Sequence, residues 1–346
     1  MTDSMHAANQ IGHWMSAVFA KCGVAAEDAL TTSELLLRTS LRGIDSHGLA
    51  RVPSYVEKLL AGKVNPRARP HVTSRLGVLH VDGDNGLGQV AATFAMRQAL
   101  QQARQAAVVT CMLRNSGHLS ALGIFALLAA EQGLVAIVCQ QTPPIMALPG
   151  AREGAIGNNP LAFAMPVAGQ APLVFDMASS VVARGRVMAA AREERPSIPT
   201  QWALAPDGQP TTDPALALQG AMRPMAGHKG IGLAMMVACL AGSLNESAAA
   251  VTRNEQGTVS KGSAGGVGAF FLVINPALFT GQVAFDAHVA DWLGHYLTAS
   301  GCEARYPGLR QAQCEAQRRE IGIPVSSALA AELRATGRQV GVMFEF

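Results

Sequence analysis

The sequence predicts a mixed α/β protein with helix-rich ends. Apolar residues recur at helical spacing through roughly the first 65 positions and again near the end. Between these ends, short apolar runs alternate with helical stretches, the pattern of an α/β domain. At 346 residues the chain exceeds the size at which one hydrophobic core keeps growing, so two domains are expected. It is 49% hydrophobic and 15% charged, with 35 glycines, which describes a well-buried chain with many tight turns.

From position 7 to about position 40, Ile11, Trp14, Met15, Val18 and Phe19, then Ala29, Leu30, Leu35, Leu36 and Leu37, mark two helices broken at Gly23. A further helix is expected from Ser46, carrying Leu49, Val52, Tyr55, Val56 and Leu59 and ending at Gly62 before Asn65-Pro66. Residues 76–81 read as a strand, followed by a glycine turn and a helix over 90–103. Strands are expected at 108–113, 134–139, 155–156, 161–165 and 173–175, with a helix over 120–132. Residues 232–244 form an apolar helix and 269–274 a buried strand, with a polar, glycine-rich and mobile loop at 246–268 between them. Helices return over 284–300 and 311–322.

Bulk properties narrow the partners. A formal charge of +3, with no run of Lys or Arg, cannot supply a phosphate-binding surface, so nucleic acid is not expected. Six scattered cysteines without a Cys-x-x-Cys pair point to reduced thiols in the cytoplasm, not to disulfides or zinc. No His, Asp or Glu cluster has metal-ligand spacing. Residues 1–23 lack a basic segment followed by an apolar one, and the longest apolar run is too short to span a bilayer. A soluble cytoplasmic protein is expected.

The densest chemistry lies in Arg42-Gly43-Ile44-Asp45-Ser46-His47-Gly48-Leu49-Ala50-Arg51. On a helix His47 and Arg51 would share a face one turn apart. An imidazole beside a fixed guanidinium suits reduction of a 2-oxo acid: Arg51 could hold the carboxylate and His47 deliver a proton to the carbonyl oxygen. The plainer alternative is a Ser or Asp helix cap beside a surface histidine.

Gly83, Gly86 and Gly88 follow a strand and open a helix, but their order inverts the dinucleotide fingerprint. A strand-to-helix turn accounts for them, and a Rossmann dehydrogenase using residues 83–88 is the alternative. Gly227-His228-Lys229-Gly230-Ile231-Gly232 precedes an apolar helix, where free backbone N–H groups and Lys229 suit an anion such as a pyrophosphate. Asp176 ends an apolar strand, a place for orienting an imidazole or bonding a ribose, or for a helix cap. His118 follows a core strand, as active-site groups often do, or is a satisfied structural histidine.

Six motifs in order resemble the malate/L-lactate/L-sulfolactate dehydrogenase family nearly end to end. This non-Rossmann family includes ureidoglycolate dehydrogenase, diketogulonate reductase and the piperideine/pyrroline-2-carboxylate reductases. The motifs are Leu41 to Gly48, Asp82 to Gln89, Asn158 to Phe163, Asp176 to Gly185, Gly227 to Gly232 and Tyr306 to Gly308. The resemblance implies an L-sulfolactate dehydrogenase-like fold. Residues 1–75 with 285–346 would form a mostly helical substrate and dimer part, and 76–284 an α/β NAD(P)-binding core. It implies a homodimer that interconverts a small 2-oxo or cyclic 2-imino acid and its reduced form, using NAD or NADP. His47 would be the proton donor, assisted by Ser46 and Asp176, with Arg51, Arg42 and His118 near the substrate. Asp176, Met177, Ala178, Ser179, Ser180, His228, Lys229, Gly230, Gly308 and Arg310 would border the cofactor. A catalytically silent nucleotide-binding homologue is the remaining alternative. Gly117, Asn158 and Leu309 depart from the usual pattern (an asparagine, a threonine and an acid respectively), which puts substrate identity in question more than reaction type.

Overall fold

The computed structural model describes residues 4–151, 153–245, 251–253, 259–261 and 267–345. Strand β1 (Ser4–His6) leads into α1 (Ala8–Lys21) and α2 (Ala26–Leu41), separated at Gly23, whose φ of +88° suits glycine. Two single 3₁₀ turns, Asp45–His47 and Leu49–Arg51, precede α3 (Val52–Leu60). The helix expected from Ser46 thus begins six residues later. Gly48, at φ −102° and ψ −125°, breaks the helical path, and a Cβ there would strike the Ser40 backbone N at 2.8 Å.

A hairpin follows, β2 (His71–Arg75) with β3 (Val78–Gly86), then α4 (Gly88–Ala103), β4 (Val108–Ser116), α5 (Leu122–Ala130) and β5 (Val135–Gln140). β2 escaped the sequence pattern because its side chains are mostly exposed. After β6 (Leu161–Met165) and β7 (Leu173–Met177) come α6 (Arg184–Arg192), β8 (Ala203–Leu204), β9 (Pro210–Thr211), α7 (Pro214–Gln219) and β10 (Ala221–Met222). α8 (His228–Val237) starts four residues before the apolar run at 232 and passes into a π-helical turn, Ala238–Gly242. The expected strand at 155–156 is only an isolated bridge from Ile156 to Met146.

Most of the loop expected over 246–268 lies outside the described residues. Its described pieces, β11 (Val251–Arg253) and β12 (Val259–Lys261), pair antiparallel. β13 (Val267–Ile274), α9 (Gln282–Ala299), α10 (Leu309–Ile321), β14 (Ile323–Val325) and α11 (Ser327–Val340) complete the chain.

Among the described residues a seven-stranded mixed sheet has the order β2-β3-β4-β13-β5-β6-β7, with β2 antiparallel and β4 parallel to β3. By contact density the chain forms two compact units. The first holds the chain up to Val138, Ala162–Asp176 and the chain from Phe270; the second holds Cys139–Leu161 and Met177–Ala269. In the first, both chain ends share a core: Ile11, Met15, Val18 and Phe19 of α1 and Leu36 of α2 pack with Val52 and Val56 of α3 and with Val325 and Leu333. Each fully buried side chain of this kind contributes about 1.5–3 kcal/mol. That matters most for α3, whose nine residues are too few to form a stable helix alone and whose start carries no side-chain cap. In the second unit Val182, Val187, Ala190, Ile198, Ala203 and Met222 form a smaller core. Among the described residues no helix is long and apolar enough to cross a membrane.

Candidate active site

The site of the first unit is built on the break between α2 and α3. Ser40, near the end of α2, accepts the Leu49 N–H on its hydroxyl at 2.9 Å and thereby fixes the chain beyond Gly48. This brings out Ser46 and His47 on one 3₁₀ turn and Arg51 at the end of the next. The Ser46 hydroxyl and His47 Nδ1 are 2.9 Å apart, leaving Nε2 as the ring nitrogen for a substrate. The Ser120 hydroxyl, on a residue held at φ +73°, donates to the His47 carbonyl.

His118 stands opposite, its ring centroid 5.9 Å from that of His47 and inclined by 35°. The Tyr55 hydroxyl lies 2.9 Å from His118 Nδ1, while Gln89 Nε2 donates to the Tyr55 oxygen at 3.1 Å. The Tyr55 oxygen accepts from Gln89, and with the Tyr55 proton given to His118 Nδ1 the neutral ring carries its own proton on Nε2. Arg51, Tyr55 and Lys58 follow one another at four- and three-residue intervals on one face of α3. Arg51 Nε is buried without a hydrogen-bond partner, and no ion pair engages Arg51 among the described residues. A desolvated guanidinium left this way is an attachment point for a carboxylate.

The cations shape both imidazoles. Burial, then the Arg51 charge, lowers His47 from 6.5 to about 4. Burial drives His118 well below the ordinary histidine value, reinforced by Arg51, His47 and Lys58. Both rings are therefore neutral at pH 7 beside a positive charge, able to accept a proton.

The other expected residues are distributed as follows. Arg42 is buried and donates to Glu315 Oε2 at 3.0 Å, so its guanidinium is engaged by α10. Asp176 Oδ2 accepts the Gly123 N–H at 2.7 Å, at the start of α5, and no hydrogen bond joins it to either histidine among the described residues. It stays open to water on one side while protein crowds the others. The crowding governs, pushing its carboxyl up to about 6 against the pull of the Gly123 N–H. Gly123 permits this approach, since a Cβ there would lie 3.0 Å from that of Asp176. Gly308, at φ +95°, packs on β7 and opens α10, with a would-be Cβ 2.6 Å from Val174 N. Arg310 is exposed in the first turn of α10.

In the second unit, Ser179 is buried and its hydroxyl donates to the Asn159 carbonyl, while that of Ser180 donates to the Val182 carbonyl. Met177 ends β7 and Ala178 follows it. α8 opens at Gly227, φ +60°, with no side-chain cap and no acid in its first turn; His228 and Lys229 are exposed there. A Cβ at Gly230 would come within 2.6 Å of the Ser179 carbonyl, so glycine brings α8 against that segment. The expected free backbone donors are mostly engaged, because the Lys229 and Gly230 N–H groups go to the Ala226 and Met225 carbonyls at 3.3 and 2.9 Å, so the exposed Lys229 side chain is the main donor left there for an anion.

The glycines at 83–88 serve the chain itself. A Cβ on Gly88 would lie 2.3 Å from the His118 carbonyl oxygen, and one on Gly86 2.5 Å from Ala68. The backbone bearing His118 occupies the space that a dinucleotide fingerprint keeps for pyrophosphate, which removes the Rossmann reading. Gly117 has the same cause, with a would-be Cβ 3.1 Å from Gly86 O and Gly88 N. Asn158 accepts from the Thr142 hydroxyl, and Leu309 packs in an apolar cluster with Leu173, Leu293 and Tyr306. Sequence reasoning placed Tyr55 only in the core and passed over Gln89 and Lys58. The signal was the 51/55/58 spacing and an amide, Gln89, in the otherwise largely apolar first turns of α4.

A family model described as malate/L-lactate dehydrogenase matches residues 6–334. The chain belongs to the malate/L-lactate dehydrogenase family. Its similarity to other members runs nearly the whole length. The L-sulfolactate dehydrogenase of Methanocaldococcus jannaschii is 33% identical over 337 residues, 95% of each chain. The ureidoglycolate dehydrogenase (NAD(+)) of Escherichia coli O157:H7 is 38% identical over 275 residues, 78% of this chain and 76% of that one. The solved structure of delta1-piperideine-2-carboxylate reductase from Pseudomonas syringae pvar. tomato superposes with a TM-score of 0.83 at 31% identity, covering 96% of this chain and 99% of the other. As a family member the chain has the expected mixed α/β fold.

Proposed function

We propose that this protein interconverts a small 2-oxo acid, or a cyclic 2-imino acid, and its reduced form with NAD or NADP, with His47 as proton donor and acceptor. The observation that carries the reading is the neutral His47–His118 pair facing the unpaired Arg51 guanidinium. When bound, the nicotinamide cofactor supplies or takes up the hydride at the substrate's C2.

Arg51 holds the substrate carboxylate by a charge-assisted, two-pronged contact. His47, neutral in the free protein, is ready to accept the hydroxyl proton when a 2-hydroxy acid is oxidised. In the reducing direction the arriving carboxylate offsets the Arg51 charge, the smaller cause of the low His47 basicity, so the protonated fraction of the ring rises and that minor fraction delivers the proton. Ser46 holds the ring's Nδ1 side, and Tyr55 with Gln89 fixes His118, whose Nε2 proton polarises the carbonyl or imine. Residues 177–180, with His228, Lys229 and Gly230, hold the cofactor; the exposed Lys229 and the close approach of Gly230 to the Ser179 carbonyl support this. In the first unit Asp176, Gly308 and Arg310 are assigned to the cofactor as well, and Arg42 supports the substrate segment through its bond to α10.

A homodimer is supported by Trp292 and Tyr296, exposed one turn apart on α9. The free state of all six cysteines supports a reducing, cytoplasmic setting. The test is a panel of 2-oxo and cyclic 2-imino acids with NADH and NADPH, followed by nicotinamide absorbance. Turnover is expected, and His47→Ala should reduce it by about two to four orders of magnitude with cofactor affinity intact. Near-wild-type turnover in that variant would end the assignment of His47.

A further inference from the structure

The 3₁₀ turn bearing Ser46 and His47 has little of its own to hold it. Its closing backbone bonds are His47 N–H to the Ile44 carbonyl at 3.0 Å and Gly48 N–H to the Asp45 carbonyl at 3.4 Å, the second a weak one. Glycines flank it on both sides: Gly43, at φ +74°, and Gly48, at ψ −125°. A three-residue turn between two glycines keeps its place only if other elements hold it.

The Ser120 hydroxyl on the His47 carbonyl and the Ser40 hydroxyl on the Leu49 N–H hold its far end, and α10 holds its first residue. Arg318 reaches across with Nη1 donating to Asp45 Oδ1 at 2.5 Å and Nη2 to Asp45 Oδ2 at 3.2 Å. The same Nη1 donates to the Ser40 carbonyl at 2.5 Å, so one guanidinium ties the last turn of α2 to the first residue of the His47 turn. The Arg318 side chain is 14% exposed and that of Asp45 53%. The arginine is thus fixed by its surroundings, and the turn's carboxylate is what it captures. A planar fork on a carboxylate sets direction as well as distance, which a lysine cannot do. Beside it, Glu315 of α10 takes Arg42 and Arg38, so the same helix is anchored to α2 independently of Asp45.

We infer that Arg318 is a positioning residue for the His47 chemistry: through Asp45 it holds the Ser46–His47 turn in register with His118 and Arg51. The inference rests on the function proposed above for its effect on turnover, and on geometry alone for its effect on the His47 ring. A group displaced by about 1 Å loses roughly a hundredfold in rate, and a loosened turn also admits water to the imidazole. The charged and titratable groups that bear on His47 are Arg51 from the next turn and His118 across the site; Asp45 itself faces Arg318.

The test pairs Arg318→Met with Asp45→Asn and their double variant, with Arg318→Lys as the conservative control. The first readout is the proton NMR titration of the His47 ring, assigned with His47→Asn. Its midpoint is expected to move up toward the ordinary histidine value in Arg318→Met and in Asp45→Asn, with no further move in the double variant. The second readout is turnover, expected to fall about ten- to a hundredfold in kcat with cofactor KM unchanged and partial recovery in Arg318→Lys. Asp45→Asn changes a half-exposed side chain and serves if Arg318→Met fails to fold. An unmoved His47 midpoint in a folded variant, or additive single effects, would overturn the inference. A moved midpoint in a protein that turns over no acid of the panel would uphold the strap and refute the proposed function instead.

Discussion

Replacing Arg51 with glutamine tests the centre of the site because one guanidinium is assigned two separable effects. Its first is on His47, which falls from 6.5 to about 4, a drop of about 2.5 pH units, with burial the larger cause and Arg51 the smaller. Arg51 therefore accounts for less than half of the drop, and its removal should raise the His47 midpoint by no more than about one pH unit. In the oxidising direction the acidic limb of kcat/KM should move up by the same amount. The second effect is on the substrate carboxylate. A hydrogen bond to a charged group contributes about 1.5–3 kcal/mol, which at about 1.4 kcal/mol per tenfold predicts a loss of roughly 10- to 150-fold in substrate affinity. Arg51→Lys should keep the limb near its original position, since the charge remains, yet lose affinity because the fork is gone. The measurement is kcat/KM against pH for wild type and both variants, with His47 titrated by NMR in parallel. If Arg51→Gln moved neither the limb nor the substrate KM, the carboxylate would bind elsewhere and the reasoning would fail. A rise well beyond one unit would show that charge, not burial, governs His47.

Tyr55→Phe removes the hydroxyl between Gln89 and His118 and leaves the buried Gln89 amide only its longer bond to the His118 carbonyl, at 3.3 Å. We expect about 1–3 kcal/mol less stability in urea titrations, with a larger fall in kcat than rise in substrate KM; unchanged kinetics would make the hydroxyl purely structural. Gly88→Ala puts a methyl 2.3 Å from the His118 carbonyl oxygen and should cost about 1–3 kcal/mol, whereas intact stability with lost cofactor binding would restore the dinucleotide reading of residues 83–88. Acid should destabilise the fold through both histidines. As pH falls below 6.5 the unfolded chain's imidazoles take up protons that folded His47 refuses until about 4 and His118 refuses for longer, so this stability, complete above pH 6.5, is lost on the way down. Asp176, raised to about 6, acts in the opposite sense between its unfolded value of 3.8 and 6, weakly because water reaches it. The thermal midpoint followed from pH 7 to 4 should therefore fall, and more gently in His118→Asn; an equal slope in that variant would remove His118 from the account.

Sequence alone determined the chain's layout, because helical spacing and glycine stops are local signals. Gly23 and Gly62 mark helix ends, and the alternation of apolar runs with helices marks the sheet layer. It also singled out the 42–51 segment and placed His47 and Arg51 within reach of each other, since they are close in the chain. Tertiary structure decided which side chains are free. Nothing in the spacing separates Arg42 from Arg51; the difference is made by Glu315, hundreds of positions later, which engages one and leaves the other unpaired. The neutrality of both histidines likewise depends on burial and on the Arg51 charge, joined at His118 by Lys58 of α3. The glycines at 83–88 look local but answer to the backbone of Gly117 and His118, which only the pairing of β3 with β4 brings there. Local propensity is written in neighbouring residues, whereas desolvation and charge pairing depend on atoms that meet only when distant segments pack.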